Sequence, residues 1–311
     1  MKIFIDGAVG TTGLEINERL AGRPELTLLT LPEDRRKDPA ARADALNAAD
    51  IVVLCLPDDA AREAVALLEG GTTRVIDAST AHRVAPGWTY GFPELEPGGR
   101  NSVAQATRVA NPGCYPTGFL ALVRPLVRAG LLPSSTLLSV NATSGYSGGG
   151  KSMIAAFETA AAPDATTTAF RAYAMNLGHK HVPEMTRHAG LDHPPIFAPA
   201  VARTYRGMIV EVPLHLHALP GTPTLADLRA ALADAYAGSE IVRVVAEPPA
   251  VMEIERLAGT DRLDLFVYGD ETAGQARLVA ALDNLGKGAA GAAVQSLNLM
   301  AGLPETAGLH L

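Results

Sequence analysis

Cysteine is scarce in this 311-residue sequence, which contains only Cys55 and Cys114. The two lie far apart and show none of the spacings typical of metal-binding cysteines. No signal-like segment opens the sequence. We therefore expect a protein of the reducing cytoplasm, with both thiols free.

Long apolar runs and extended basic blocks are also missing. The apolar run at residues 51–56 is far shorter than the roughly 20 residues that cross a bilayer. The formal net charge is −7, and the basic block at residues 35–37 is too short to suggest a nucleic-acid or anionic-membrane surface. We expect a small-molecule partner, with no nucleic acid and no membrane.

A glycine-rich turn follows the first predicted strand. Residues 2–6 are apolar, and residues 7–13 (Gly-Ala-Val-Gly-Thr-Thr-Gly) precede a helical pattern that ends near Leu20. Glycines in such a turn let a phosphate approach backbone amides and let the helix pack closely on the strand. The pattern predicts a dinucleotide site, with an ordinary strand–helix loop as the alternative. Its residues would be Gly7, Gly10, Thr11, Thr12 and Gly13.

Further strands are predicted at residues 26–31, 50–56 and 74–77, with a helix over residues 59–68 that Asp58 or Asp59 would cap. This alternation is typical of a parallel sheet. After the second strand, where an NAD site usually has an acidic residue, the chain has Arg35 and Arg36. These cations favour the 2′-phosphate of NADP, although a solvated charged loop is the alternative. Cys55 is predicted to be a core residue.

The pattern changes after Cys114 to β-rich segments with longer loops, at residues 136–142, 196–201, 207–217 and 263–269. The tail at residues 284–303 has a glycine loop and then an apolar helix that would return to the first domain. We predict an α/β fold with an N-terminal Rossmann-like parallel sheet and a second α+β domain. The first domain would span residues 1–113, completed by 285–311, and the second residues 114–284.

Residues 111–118 (Asn-Pro-Gly-Cys-Tyr-Pro-Thr-Gly) place Cys114 on a turn ahead of a helix-periodic run that stops at Gly130. The helix should begin near Tyr115 or Pro116. Free amides and the helix dipole at such an end can lower a thiol pKa from about 8.5 toward neutrality. The pattern therefore predicts a thiolate nucleophile, with a small buried cysteine as the alternative.

Two histidines and a carboxylate occur within residues 176–185 (Asn-Leu-Gly-His-Lys-His-Val-Pro-Glu-Met). A cysteine nucleophile needs a group that moves protons near neutral pH, and we predict that His181 does so, with Glu184 orienting it. His179 and His181 could instead hold a metal ion, but no third ligand has convincing spacing. We expect no metal.

Two further loops contain candidate anion-binding residues. Residues 144–151 (Ser-Gly-Tyr-Ser-Gly-Gly-Gly-Lys) are dense in glycine and end in Lys151, which suits either a substrate clasp or a flexible surface loop. Residues 77–83 (Asp-Ala-Ser-Thr-Ala-His-Arg) follow a strand at the carboxyl edge of the predicted sheet, where ligands bind in doubly wound folds. Arg83 is therefore a candidate for binding a substrate anion, with a solvated arginine as the alternative.

Together with residues 90–95 (Tyr-Gly-Phe-Pro-Glu-Leu), these segments resemble, in their order, the N-acetyl-gamma-glutamyl-phosphate reductases. The resemblance covers nearly the whole chain and is closest to the short form of that arginine-biosynthesis enzyme. It implies a Rossmann domain, a catalytic α+β domain and a C-terminal helix that rejoins the first domain. It also implies that Cys114 is the nucleophile, His181 the acid/base, Glu184 its support and NADP(H) the cofactor, in a homodimer or homotetramer.

The resemblance adds further site residues. Ser79 and Asn298 would lie at the cofactor, as would Gln295, whereas the substrate would contact Arg83, Asn111, Ser144, Gly145, Lys151 and His179. The chain has Ser-Thr-Ala-His-Arg at residues 79–83, where the long form usually has Ser-Ala-Asp-Phe-Arg, and His-Lys-His-Val-Pro-Glu at residues 179–184, where it has His-Arg-His-Thr-Pro-Glu. The division of roles between the two histidines therefore stays open. Alternatives are an aspartate-semialdehyde dehydrogenase, a carrier-protein-linked aminoacyl-phosphate reductase and a nicotinamide-binding regulator.

Overall fold

The computed structural model describes residues 1–311 as two compact units. Unit 1 comprises Met1–Gly113 and Ala289–Leu309, and unit 2 comprises Cys114–Gly288 and His310–Leu311. No helix in either unit combines the length and apolar character needed to cross a membrane.

Unit 1 contains a six-stranded sheet in which every strand pair is parallel. Its strands are β1 (Lys2–Asp6), β2 (Thr27–Leu29), β3 (Ile51–Leu54), β4 (Arg74–Asp77), β5 (Thr89–Tyr90) and β6 (Arg108–Ala110), with helices α1 (Thr11–Leu20), α2 (Pro39–Ala48), α3 (Asp58–Ala66) and α4 (Gly99–Gln105). The strand order is β2-β1-β3-β4-β6-β5. The chain thus leaves β1 toward one edge and returns to its other side at β3, which makes a topological switch point where ligands bind in such folds. The predicted Rossmann-like sheet is confirmed.

Strand β3 shows why this sheet forms. All four of its residues are buried, as expected for a parallel strand that is covered on both faces. Side chains alternate along a strand, so Ile51 and Val53 join the core on one face while Val52 and Leu54 join the core on the other. A continuous apolar run, rather than an alternating one, is therefore what this position requires.

Unit 2 contains a seven-stranded mixed sheet in the order β11-β12-β13-β10-β7-β9-β8. Its strands are β7 (Ser139–Gly145), β8 (Phe170–Ala172), β9 (Ile196–Ala202), β10 (Met208–His215), β11 (Val242–Val244), β12 (Leu263–Asp270) and β13 (Gln275–Leu282), and its helices are α5 (Cys114–Arg128), α6 (Gly150–Glu158), α7 (Val182–Ala189) and α8 (Leu225–Ala235). Helix α5 packs closely on the sheet, since a Cβ at Gly118 would lie 2.7 Å from a side-chain carbon of Val210. This close packing places the start of α5 over the middle of the sheet.

The last helix, α9 (Gly291–Ala301), belongs to unit 1, as predicted. It follows a π-helical turn (Gly286–Ala290) and is buried on nearly all sides. Ala293, Val294 and Leu297 pack into the same core as Ile3 and Ile16. A helix composed mainly of apolar residues is stable when it is enclosed in this way.

One helix was not predicted, and one predicted helix cap was wrong. Helix α2 was missed, although Asp38 caps it by accepting a hydrogen bond from the amide of Ala40 at 2.9 Å, and Pro39 fits its first position. Asp58 does not cap α3, because its carboxylate accepts hydrogen bonds from the amide and the hydroxyl of Thr80. The carboxylate therefore ties the start of α3 to the loop after β4.

Candidate active site

The glycine turn of unit 1 has the close backbone packing that the motif predicts. Gly7 has a φ of +90°, and a Cβ there would lie 2.3 Å from the carbonyl oxygen of Cys55. A Cβ at Gly13 would lie 2.5 Å from the carbonyl oxygen of Gly7. Gly10, the residue before α1, has no side chain that could cap the helix. The amides of the first turn, which starts with Thr11 and Thr12, are therefore not capped by a side chain. The turn therefore fits a pyrophosphate at a helix N-terminus.

Gly13→Ala should lower cofactor affinity at least about tenfold and destabilise unit 1, because the new methyl group would collide with the Gly7 carbonyl. Gly10→Ala is the matched control. Its φ of −73° suits alanine, and its Cβ would lie 3.3 Å from the same oxygen. Titration of each variant with NADPH, beside its thermal unfolding, checks this. Equal behaviour of the two variants would contradict the role given to close packing at Gly13.

The two arginines predicted to select NADP lie on the exposed loop that follows β2. The Arg35 guanidinium is 3.4 Å from the Asp38 carboxylate, and Arg36 donates to the carbonyl of Leu31 at 3.4 Å. A third cation was missed: Arg42 makes two hydrogen bonds, at 2.7 and 3.2 Å, to the carboxylate of Asp6 at the end of β1. The carboxyl ends of β1 and β2 thus have three guanidinium groups nearby.

Arg83 and Asn111 meet at the carboxyl ends of β4 and β6. Arg83 is buried, and it donates to the carbonyl oxygens of Asn111 at 3.0 Å and Ala78 at 3.2 Å. Asn111 is also buried, and its side-chain amide donates to the carbonyl of Ala289 at 2.9 Å. Of the alternatives for Arg83, the solvated arginine is therefore wrong.

The polar groups of Ser79, Gln295 and Asn298 bond within the protein. The hydroxyl of Ser79 donates to the Asp77 carboxylate at 2.7 Å. Gln295 donates to Glu94 at 2.9 Å and to Glu305 at 2.7 Å. Asn298 is fully buried; it accepts from Arg23 at 2.9 Å and donates to the carbonyls of Glu305 and Ala307. The amide of Asn298 holds the C-terminal segment, and this geometry gives no support to its predicted contact with the cofactor.

In unit 2, Cys114 is the first residue of α5, so its thiol lies at the end of the helix dipole that favours a thiolate. The helix therefore begins one or two residues before the predicted position. A Cβ at Gly288 would lie 3.0 Å from the Cβ of Cys114, which shows how closely the turn before α9 approaches this residue. Cys114 is partly exposed and forms no disulfide. A nucleophile needs both features.

Two tyrosines pack beside the nucleophile. The Tyr115 hydroxyl donates to the carbonyl of Ala200 at 3.2 Å and accepts from the Tyr173 hydroxyl at 3.2 Å. Burial raises the pKa of Tyr173 to about 12, with the nearby negative charge of Cys114 acting in the same direction. Burial likewise raises the pKa of Tyr115 well above its usual value. Both phenols therefore stay protonated and neutral near the thiolate.

His179 and His181 both pack against Tyr115. Ring centroids of His179 and His181 are 4.7 Å apart, and they lie 6.1 and 5.9 Å from the centroid of Tyr115. His181 is buried immediately before α7, and Glu184 is buried in the first turn of that helix. The structure thus brings together the residues predicted for nucleophile, acid/base and support in one part of unit 2.

A hydrogen bond and burial distinguish the histidines. The backbone amide of His181 donates to Nδ1 of His179 at 3.1 Å, so the proton of a neutral His179 ring resides on Nε2. Burial, followed by the positive charge of Lys180, lowers the pKa of His179 to about 4. His179 is therefore a neutral hydrogen-bond donor at neutral pH and a poor proton acceptor.

This shift predicts a pH effect on stability. Since the folded protein binds a proton at His179 less readily than the unfolded chain, the free energy of unfolding should fall as the pH drops from about 6.5 toward 4. His179→Gln removes the titrating ring and should weaken that pH dependence. Thermal unfolding of both proteins at several pH values checks this. Parallel curves for the two proteins would contradict the low pKa.

Only part of the glycine-dense loop, residues 144–151, lies near Tyr115. The hydroxyl of Ser144, at the end of β7, is buried near the Tyr115 phenol and donates to the carbonyl of Gly145 at 3.0 Å. The amide of Gly145 donates to the carbonyl of Gly207 at 2.8 Å, so that amide is already satisfied. Lys151 is exposed in the first turn of α6. The loop thus places Ser144 beside Tyr115 and leaves Lys151 in solvent.

Sequence reasoning missed Tyr115, Tyr173 and Gly288 as members of this site. Tyr115 is part of the motif around Cys114, but nothing in the motif separates a packing tyrosine from a functional one. Tyr173 lies 58 residues away in the sequence, with no motif of its own. A signal did exist for the turn at Gly288, since Asp283, Asn284 and Gly286 form a cluster typical of a turn.

Comparison with known proteins identifies the family. Residues 2–103 match the profile described as semialdehyde dehydrogenase, NAD binding domain, and residues 114–284 match semialdehyde dehydrogenase, dimerisation domain. These matches support a nicotinamide cofactor and self-association.

Relatives and solved structures agree. The N-acetyl-gamma-glutamyl-phosphate reductases of Brucella ovis and Brucella melitensis are each 57% identical to this chain over 307 residues, covering 97% of it and 99% of the relative. Aspartate semialdehyde dehydrogenases share the fold at low identity: the Vibrio cholerae enzyme II complexed with ASA has a TM-score of 0.69 at 18% identity, covering 96% of this chain and 98% of that one. The Francisella tularensis enzyme has a TM-score of 0.71 at 14% identity, covering 97% and 100%. The chain belongs to the N-acetyl-gamma-glutamyl-phosphate reductase family.

Proposed function

We propose that this protein reduces N-acetyl-L-glutamyl 5-phosphate to N-acetyl-L-glutamate 5-semialdehyde with release of phosphate, as a cytoplasmic enzyme of arginine biosynthesis. The observation that carries the proposal is Cys114 at the start of α5, in one unit with His179 and His181, which pack on Tyr115. The 57% identity to named reductases supports this substrate over other acyl phosphates. The aspartate-semialdehyde dehydrogenases share only the fold, at 18% identity or less.

The proposed reaction begins with a covalent step on Cys114. The thiolate attacks the acyl carbon and forms a C–S bond. The bond between that carbon and the phosphate oxygen breaks, and phosphate leaves with the electron pair. A thioester accepts a hydride more readily than a carboxylate does, which divides one difficult reduction into two steps. The bound nicotinamide cofactor supplies that hydride.

Side chains of unit 2 manage the charge and the protons. His181 donates a proton to the oxyanion that develops on the former carbonyl oxygen, and it takes the proton back as the C–S bond breaks to release the semialdehyde and the thiolate. Glu184 supports His181 from the first turn of α7. His179, kept neutral by burial, donates from Nε2 to the substrate.

The proposed cofactor is NADPH. The glycine turn fits a pyrophosphate, since a Cβ at Gly7 or Gly13 would meet a carbonyl oxygen there. Arg35 and Arg36 would pair with the 2′-phosphate, with Ser79 as a further proposed contact. One related fold, the aspartate semialdehyde dehydrogenase of Candida albicans, is described as a structure with NADP, with a TM-score of 0.65 at 15% identity, covering 96% of this chain and 98% of that one. Replacing both arginines with alanine should reduce the preference for NADP over NAD.

Further residues are proposed to contact the substrate anions. They are Arg83, Asn111, Ser144, Gly145 and Lys151. Lys151 is an exposed cation and can reach a phosphate without breaking an existing bond. The oligomer is proposed to be a homodimer or homotetramer, and sedimentation equilibrium of the full chain distinguishes these from a monomer.

Phosphate-dependent reduction of NADP tests the reaction in reverse. The purified protein is supplied in turn with N-acetyl-glutamate semialdehyde and aspartate semialdehyde. Selective turnover of the N-acetyl compound is the expected result. Turnover of aspartate semialdehyde alone would retain the Cys114 chemistry and refute the substrate assignment, while activity with neither would refute the proposed function.

A further inference from the structure

The loop after β4, residues 78–83, carries two residues that the proposed function uses, Ser79 and Arg83. Its conformation depends on one fully buried carboxylate, that of Asp77. Asp77 accepts from the amide of Ser79 at 2.9 Å and from its hydroxyl at 2.7 Å. A second carboxylate, Asp58, accepts from Thr80. The start of the loop is thus fixed to the carboxyl edge of the sheet by hydrogen bonds.

His82 fixes the other end of the loop to the same carboxylate. Its Nδ1 lies 2.6 Å from Oδ2 of Asp77. An ionised carboxylate only accepts hydrogen bonds, so Nδ1 carries the proton and donates. The His82 side chain is 11% exposed and Asp77 is not exposed, so little water competes for this bond. Directional bonds between shielded groups restrict a loop more than exposed ones do.

The face of the His82 imidazole ring is also restrained, by stacking. The ring stacks on Trp88 with centroids 4.1 Å apart and planes inclined by 14°. The Arg108 guanidinium lies 5.8 Å from the Trp88 ring centroid, within the range of a cation–π contact. His82 is therefore restrained in two independent ways, by a hydrogen bond at its edge and by stacking on its face.

Arg83 follows His82 directly in the chain, and its guanidinium reaches across to the carbonyl of Asn111 at the end of β6. Rotation of residue 82 would displace the backbone from which Arg83 extends. A displacement of about 1 Å can cost a binding group much of its effect. The restraints on His82 are thus transmitted to Arg83 by covalent connection.

We propose that His82 is a positioning residue: its bond to Asp77 fixes residues 78–83 and so places Arg83 for the substrate anion. The choice of substrate rests on the function proposed above, whereas the restraint on the loop does not. The stacking on Trp88 needs only an aromatic ring, but the bond to Asp77 needs an N–H group at the Nδ1 position.

Two variants separate these restraints. His82→Phe keeps an aromatic face for Trp88 and removes the donor, whereas His82→Asn removes the ring and keeps an N–H near the Nδ1 position. Hydrogen–deuterium exchange of ligand-free protein should be about tenfold faster at residues 78–83 in His82→Phe, and within about threefold of the parent in His82→Asn. The KM for N-acetyl-glutamate semialdehyde should rise about tenfold in His82→Phe, with kcat little changed, and recover in His82→Asn.

Thermal unfolding provides the control for a merely structural role. Because His82→Phe leaves the buried carboxylate of Asp77 with one donor fewer, its unfolding midpoint should fall by a few degrees. Exchange and KM are therefore compared well below the midpoints of both proteins, where each is fully folded. The proposal is overturned if exchange in His82→Phe matches the parent, if His82→Asn is as impaired as His82→Phe, or if KM stays constant while the loop loosens. A parent protein inactive on the semialdehyde, with the expected exchange pattern, would refute the proposed function and leave the loop restraint supported.

Discussion

Cys114→Ala should lower turnover at least about a thousandfold while leaving the affinity for NADPH unchanged. The thiolate forms the covalent bond to the acyl group, and an alanine methyl group has no electron pair to do so. The cofactor residues proposed here lie in unit 1, whereas Cys114 is the first residue of unit 2. Steady-state kinetics with N-acetyl-glutamate semialdehyde and phosphate, beside a fluorescence titration with NADPH, measure the two effects separately.

The second cysteine supplies a matched control. Cys55 packs against the core of unit 1, and burial, with the carboxylates of Asp77 and Asp6, raises its pKa to about 12. It is therefore a protonated, unreactive thiol at neutral pH. Cys55→Ala should retain turnover, and iodoacetamide should inactivate both the parent and this variant by labelling Cys114. Turnover within about tenfold of the parent in Cys114→Ala would refute the covalent route.

The parts of this structure that the sequence predicted are those governed by local chemistry. Strand β1, the glycine turn and α1 follow one another with hardly any intervening residues, so a short pattern defines them. The same holds for Cys114 at the start of α5, where Pro, Gly and an apolar run identify the turn and the helix. Sequence reasoning works here because the residues that set the geometry lie within about one helical turn of each other.

The parts that escaped prediction depend on packing between distant segments. The bond between Tyr115 and Tyr173 exists because α5 and the segment after β8 converge, and neither local sequence specifies that meeting. Asn298 looked like a ligand contact, but its amide is used by Arg23 and the C-terminal segment. Only the structure shows whether a polar side chain is bonded within the protein or is available to a ligand.

The two histidines were the point that the motif left open, and the structure makes their chemistry unequal. His179 accepts a bond at Nδ1 and has a pKa lowered to about 4, so it stays neutral across the working range. A group with that pKa is too weak a base to collect a proton efficiently at neutral pH. His181 packs beside the same Tyr115, with ring centroids 5.9 Å apart, and is therefore the ring proposed to transfer the proton.

His181→Ala should therefore lower kcat by about a hundredfold to ten-thousandfold, the range found when a general acid–base is removed. The fold should tolerate the change, because the imidazole makes no capping bond to α7 and a small side chain fits the same backbone. Added imidazole should restore part of the lost rate by entering the space of the missing ring and carrying the proton. A purely structural defect would not respond to imidazole in this way.

His179→Gln is the comparison that decides between the rings. A glutamine can still donate a hydrogen bond to substrate, so its main effect should be a KM several times higher, with kcat within about tenfold of the parent and no rescue by imidazole. The reverse pattern, a large loss of kcat at residue 179 with imidazole rescue and a mild effect at residue 181, would assign the proton transfer to His179. Because both rings pack on Tyr115, the same assay compares two sites in nearly the same surroundings, and the difference reports chemistry rather than position.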